Sequence, residues 1–251
     1  CYLLGNDFIP NIPSIDIKND GLDFLIDIYT DTFLTLNTNL ITINEKNEID
    51  MNEIFLELFL KNLSKYEDYY FKTKLPKYKE NLKKRKCPSD DPYENELWNL
   101  ENMRNIEIYD PIKLGYDCSE LWKFRYYEYY YNTTVNQQKQ IDKMCNEYLK
   151  GLIWATKYYF DKCPSWNWQY IYNHAPFLSD LYEYFRRNKF VMNDIKFGES
   201  TPLNPIVQLL SVIPPICGNL LPKKYYELMT SNKSDILDMF PLRVSMDCIN
   251  K

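Results

Sequence analysis

The chain has 251 residues, 45% of them hydrophobic and 26% charged, with a net charge of −5 and a pI near 5.1. That composition supports one large folded domain or two small ones and excludes disorder throughout the chain, and its acidic balance gives no support for nonspecific nucleic-acid binding. No apolar run approaches the ~18 residues of a membrane span and no signal peptide is present. The seven cysteines Cys1, Cys87, Cys118, Cys145, Cys163, Cys217 and Cys248 are scattered without a C-x-x-C pair. They read as reduced thiols of an intracellular protein, not as a zinc site. Cys1 in place of an initiator Met reads as a fragment or a processed product, and the heavy use of Asn, Lys, Ile and Tyr fits an A+T-rich genome.

In chain order, Tyr2-Leu3-Leu4 is a short apolar run stopped by Gly5-Asn6-Asp7, the pattern of a buried strand ending in a turn. Asp20 is placed to cap a helix whose face is Leu22, Leu25, Ile26, Tyr29 and Phe33. Residues 35–49 are polar and irregular. Asp50 with Glu53 resembles a capping box ahead of a long helix carrying Ile54, Phe55, Leu58, Leu63 and Tyr66. The stretch from Lys72 to Lys86 is strongly basic and runs into Cys87-Pro88-Ser89-Asp90-Asp91-Pro92, so residues 72–96 read as a mobile basic/acidic linker. A solvated helix end is the simpler reading of the basic run; a phosphate-contacting patch is the alternative, weakened by the acidic residues that follow.

Helical periodicity resumes over Leu121–Tyr131 and is strong from Ile141 toward Tyr159, where Pro164 ends it. Pro176 and Ser179-Asp180 bracket the start of a helix with Leu181, Tyr184 and Phe185. Asn204-Pro205 opens another through Leu209 and Val212, and Pro222 a last one with Tyr225, Leu228 and Met229. The expected fold class is mostly α: a multi-helix domain over 1–251, with a short N-terminal strand within residues 1–10.

The supply of chemistry is narrow. His174 is the single histidine, which excludes di-histidine metal sites, and neither a Walker loop nor a GxGxxG motif exists. Carboxylates holding divalent cations remain. Asp7 follows the apolar run in Gly5-Asn6-Asp7-Phe8, at the place where open α/β sheets hold ligands; spacing alone also allows, and favours, a simple turn cap. The segment Cys163–Phe177 carries five aromatic residues in fifteen, broken by Pro, Ser and Asn. It reads as a rigid extended segment packed through its rings, with one or two left to stack on bases.

The stretches LLGNDFIPNIPSIDI and NDGLDFLIDIY resemble the Xrn-type 5′→3′ exoribonucleases where the nuclease core passes into its helical region. The resemblance continues in order through LWKFRYYEYYY, YLKGLIWATKYYFDKCPSWNWQYIYNHAPFLSDL, NPIVQLLSVIPP, NLLPKKYYELMT, SDILDMFP and a final Asp247…Lys251. It implies hydrolysis of 5′-monophosphorylated single-stranded RNA to mononucleotides at an acidic cluster holding Mg2+ or Mn2+, in a cytoplasmic or nuclear setting, and it implies that the N-terminal strand would belong to an α/β nuclease core. The A+T-rich bias and the divergence from the family suggest a viral or protist source. The resemblance also implies that Asp7 is the last acidic metal ligand and therefore catalytic, and that Trp168 stacks the terminal base. Asn6 and Trp166 join Trp168 as substrate-binding candidates, Trp166 being the better suited to core packing. Where the family reads Tyr-His-Tyr-Ala, this chain has Tyr172-Asn173-His174-Ala175, so His174 is expected to pack or hydrogen-bond. The remaining acidic ligands and the phosphate pocket would come from an upstream nuclease half, in cis or in trans, and the chain alone is expected to be inactive. The rival expectation is a noncatalytic RNA- or protein-binding helical scaffold.

Overall fold

The computed structural model describes residues 2–43, 49–102, 110–133, 137–188 and 194–241, which divide into two compact units, Cys1–Glu199 and Ser200–Lys251. The mostly α expectation holds. The strand expected at Tyr2–Leu4 is instead a turn of 3-10 helix. Its polar groups are closed locally, Gly5 N–H donating to Tyr2 O at 3.0 Å and Ile12 N–H to Leu3 O at 2.9 Å. Among the described residues the sheet consists of β1 (Ile41–Ile43) and β2 (Ile49–Met51), antiparallel with Ile41 opposite Met51.

In the first unit, α1 (Gly21–Leu36) starts after Asp20, whose φ of 60° is left-handed and whose side chain makes no cap bond. Asn37 ends the helix at φ 50°, its N–H reaching back to Phe33 O at 2.7 Å, a left-handed C-terminal cap. For α2 (Glu53–Tyr69) the cap is Asn52, whose Oδ1 accepts the Phe55 N–H at 3.0 Å; Asp50 is spent in β2. The buried stripe is Phe55, Leu56, Phe59, Leu60 and Leu63, with Ile54 turned to solvent. A π-helical turn, Tyr70–Lys74, joins α2 to α3 (Leu75–Lys84), where Pro76 has no N–H to continue the α-helical ladder.

Within the segment read as a linker, the structure forms this π turn, α3 and then α4 (Pro92–Asn102), leaving residues 85–91 irregular. Next come α5 (Ser119–Tyr131), α6 (Gln137–Phe160) and α7 (Leu178–Asn188). α2 packs against α1 and α7, and α6 against α7. The core between them is rich in rings, with Phe55, Phe71, Trp122, Tyr127, Tyr148 and Phe177 fully buried.

The second unit holds α8 (Pro205–Val212), capped by Asn204 Oδ1 on Ile206 N–H at 3.0 Å, and α9 (Lys223–Thr230). Its core is Leu210, Leu221 and Met229. Asp247 and Lys251 lie outside the described residues. No helix among the described residues is long and apolar enough to cross a membrane.

Candidate functional site

The Asp7 loop is built by its neighbours. Gly5 has φ 87°, and a Cβ there would stand 2.8 Å from Asn11 N, so the turn requires glycine. Asn6 Oδ1 accepts both the Phe8 N–H at 2.9 Å and the Ile9 N–H at 3.0 Å, a side-chain mimic of a backbone turn. Asp7 is thereby left exposed at the loop tip, between a buried Leu3 and a buried Ile9. The Asn6 carbonyl thus shapes the loop, while its Nδ2 is buried without a partner among the described residues.

One stripe of α6 receives this loop. Tyr148 donates its hydroxyl to Pro10 O at 2.9 Å. Gly151 leaves room for Ile9: an added Cβ would lie 2.6 Å from Ile9 Cγ2 and 3.0 Å from the Trp168 ring. Trp154 lies 4.7 Å from Phe8 at 60°, and Tyr158 meets Phe8 edge-on at 5.1 Å. Residues 148, 151, 154 and 158 are three and four apart, the spacing of one helix face.

The same stripe receives Trp168. Its ring stacks on Trp154 at 5.5 Å and 28°, and Trp154 stacks in turn on Tyr158 at 5.1 Å and 8°. Trp154 Nε1 donates to Ser165 O at 2.8 Å, pinning the irregular segment 161–177 just before the Trp pair. Bends at residues 166 and 167 then turn Trp166 outward, 53% exposed, and return Trp168 half-buried over α6. The core role expected for Trp166 is therefore incorrect; of the two rings, Trp168 is the deeper. The structure brings the Asp7 loop and Trp168 together through Phe8 and Trp154. Trp154 and Gly151 were not candidates, although their spacing from Tyr148 and Tyr158 marks them as one face.

His174 packs, stacked on Tyr130 at 3.7 Å between ring centroids. Burial lowers its pKa and favours the neutral ring. Its backbone carbonyl accepts the hydroxyls of Tyr131 at 2.7 Å and Tyr170 at 3.0 Å, while Tyr126 donates to Ala175 O at 2.8 Å. Tyrosine hydroxyls thus satisfy the carbonyls of a segment that has no ladder of its own.

A second polar centre joins three helices. The Glu67 carboxylate on α2 accepts the Leu178 N–H at 2.6 Å and the Ser179 N–H at 3.4 Å, closing the N-terminus of α7. Its other oxygen meets the Ser179 hydroxyl. Lys123 on α5 lies 3.7 Å from Glu67 and 3.0 Å from Asp180, and Tyr127 donates to Asp180 at 2.7 Å. Burial raises the Glu67 pKa to about 7, against the opposing pull of Lys123. For Lys123 burial is outweighed by Asp180 and Glu67, and its pKa is raised. Elsewhere in this unit an apolar cavity of about 430 Å3 is lined by Leu25, Ile26, Tyr29, Phe59 and Phe160 among others, with no carboxylate, histidine or lysine in its walls.

Comparison with known proteins places the chain in a family. A family model described as the Xrn1 helical domain matches residues 1–106 and 89–251. The 5′-3′ exoribonuclease 2 homolog of Drosophila melanogaster is 26% identical over 100% of this chain and 31% of its own length. The 5′-3′ exoribonuclease 2 of Schizosaccharomyces pombe is 34% identical over 67% of this chain, and 5′-3′ exoribonuclease 1 of Saccharomyces cerevisiae is 35% identical over 51%. The chain spans no more than about a third of the length of these relatives.

Proposed function

The chain belongs to the Xrn1 helical-domain family, and from that premise we propose that it is the helical part of a 5′→3′ exoribonuclease. Its substrate would be single-stranded RNA with a 5′-monophosphate, cut to mononucleotides. The observation that carries this reading is the meeting of the Asp7 loop and Trp168 on one stripe of α6. An acidic group and a flat apolar ring held on one support suit a substrate that joins a phosphodiester to a base.

Asp7 is one carboxylate, and among the described residues no three His, Cys, Asp or Glu side chains come together to hold a metal. The described residues do not assemble a metal site by themselves. Under the proposal Asp7 contributes one ligand to a Mg2+ or Mn2+ site whose other ligands belong to the nuclease half, in cis or in trans. A divalent ion bound there would supply charge stabilisation at the phosphodiester. What this chain supplies is the fixed loop that presents Asp7, the wall formed by α6, and the Trp168 face, a contact worth roughly 1–3 kcal/mol per base and indifferent to base identity.

The test is Asp7→Asn in the enzyme assembled from this chain and its nuclease half. The change keeps size and removes charge. Turnover is expected to fall at least ~10²-fold, the scale of one lost charge-stabilising contact, with RNA affinity little changed. Near-normal turnover at saturating Mg2+ would reduce Asp7 to a turn residue.

A further inference from the structure

We propose that Trp154 is a positioning residue that fixes where Trp168 meets a base and ties that placement to the Asp7 loop; this rests on the stacking role given to Trp168 above. Trp154 is only 5% exposed and cannot itself cover a substrate. It is, however, the ring that touches both loops: Phe8 at 4.7 Å on one side, and Trp168 at 5.5 Å on the other.

The segment 161–177 contains neither helix nor strand. Its backbone alone therefore does not hold Trp168 in place. Side chains do: the Trp154 Nε1 bond to Ser165 O at 2.8 Å, the Trp154 ring stacked on Trp168, Phe197 standing edge-on to Trp168 at 6.0 Å, and the close approach of the ring to Gly151. Two of these contacts come from Trp154. Without that indole, Trp168 gains freedom that it must give up when a base arrives, and affinity lost in this way needs no change in the contact itself. On the opposite side, Trp154 backs Phe8, whose N–H is bonded to Asn6 in the turn that presents Asp7. A stacked base and a presented carboxylate thus share one buried support.

The test measures binding, in EDTA, of a short single-stranded RNA with a 5′-monophosphate and of the same RNA with an abasic first nucleotide, to the enzyme assembled with its nuclease half. The ratio of the two affinities reads the base contact. Trp168→Ala should abolish that ratio. Trp154→Leu should cut it roughly 5-fold or more, within the span of one stacking contact, and leave the abasic RNA's affinity unchanged. Trp154→Phe keeps a ring but loses the bond to Ser165, so it should fold normally and give an intermediate ratio. Adding Trp154→Leu to Trp168→Ala should cost nothing further.

The proposal is overturned if Trp168→Ala abolishes the ratio while Trp154→Leu and Trp154→Phe leave it intact. Equal weakening of both RNAs with a lowered Tm, unrescued by Phe, would also overturn it, since that is a structural role alone. Should Trp168→Ala itself leave the ratio unchanged, the stacking role of Trp168 fails and this proposal fails with it. If Trp154→Leu does not fold, Trp154→Phe decides the matter alone.

Discussion

At the scale of single residues, the burial of Trp168 makes a definite forecast. The ring is half-buried, with Trp154 behind it and Phe197 at its edge. Trp168→Ala should therefore cost less stability than the roughly 3–5 kcal/mol of a fully buried aromatic, and should slow exonuclease turnover alike for all four 5′ bases. Trp168→Phe should recover much of the rate. A large fall in Tm that Phe does not repair would make the residue a core ring and remove it from the site. Sequence marked the segment because an irregular, aromatic-dense stretch has no helical or strand period to absorb its rings; the choice of Trp168 within it came from the family resemblance. It misjudged Trp166, because two tryptophans separated by one residue look alike until the bends at 166 and 167 point one outward. Asn6 was visible as a neighbour of Asp7. Its use as the acceptor for two backbone N–H groups depends on the fold of the turn.

At the scale of elements, helices α1, α2 and α5 through α9 were legible from their apolar periods or from the proline and cap residues that open them, while α4 and the β1–β2 pair were not. The β1–β2 pair has strands of three residues, too short to show a period. α4 is polar, yet it carried a signal: Asp91 Oδ1 accepts the N–H of Tyr93 at 2.9 Å and of Glu94 at 3.0 Å, with Pro92 in first position. The junction of Glu67, Lys123 and Asp180 had no signal, since its members come from three helices far apart in sequence. It also makes a pH forecast. Burial raises the Glu67 pKa to about 7 in the folded state, above its ordinary value of 4.5. The folded chain therefore binds the proton more tightly than the unfolded chain. The associated stability is complete below about pH 4.5 and is lost as pH rises through about 7, on the order of 3 kcal/mol in all. Glu67→Gln should remove that part of the slope in a denaturation series between pH 5 and 8. Parallel curves for the two proteins would show that Glu67 is already ionised at pH 5.

At the scale of the whole molecule, the loop presenting Asp7 shares a face of α6 with Trp168, and among the described residues there is no acidic cluster to complete a metal site. The purified 251-residue chain should accordingly release no nucleotides from 5′-monophosphorylated RNA in Mg2+, and a matching nuclease half added in trans should restore release. Magnesium-dependent release by the chain alone would show that it holds a complete site. The Glu67 cap has a further consequence, for the order in which the chain folds. A helix ordinarily closes its first turn with a residue just ahead of it; α7 borrows the carboxylate of Glu67, 111 positions upstream of Leu178. Until α2 has docked, the amides of Leu178 and Ser179 must be served by water, and docking must first close a long loop of chain. α7 is then expected to form late, its first turn closed only once α2 has docked, and the segment carrying Trp168 and His174, which leads directly into it, is expected to settle after that docking.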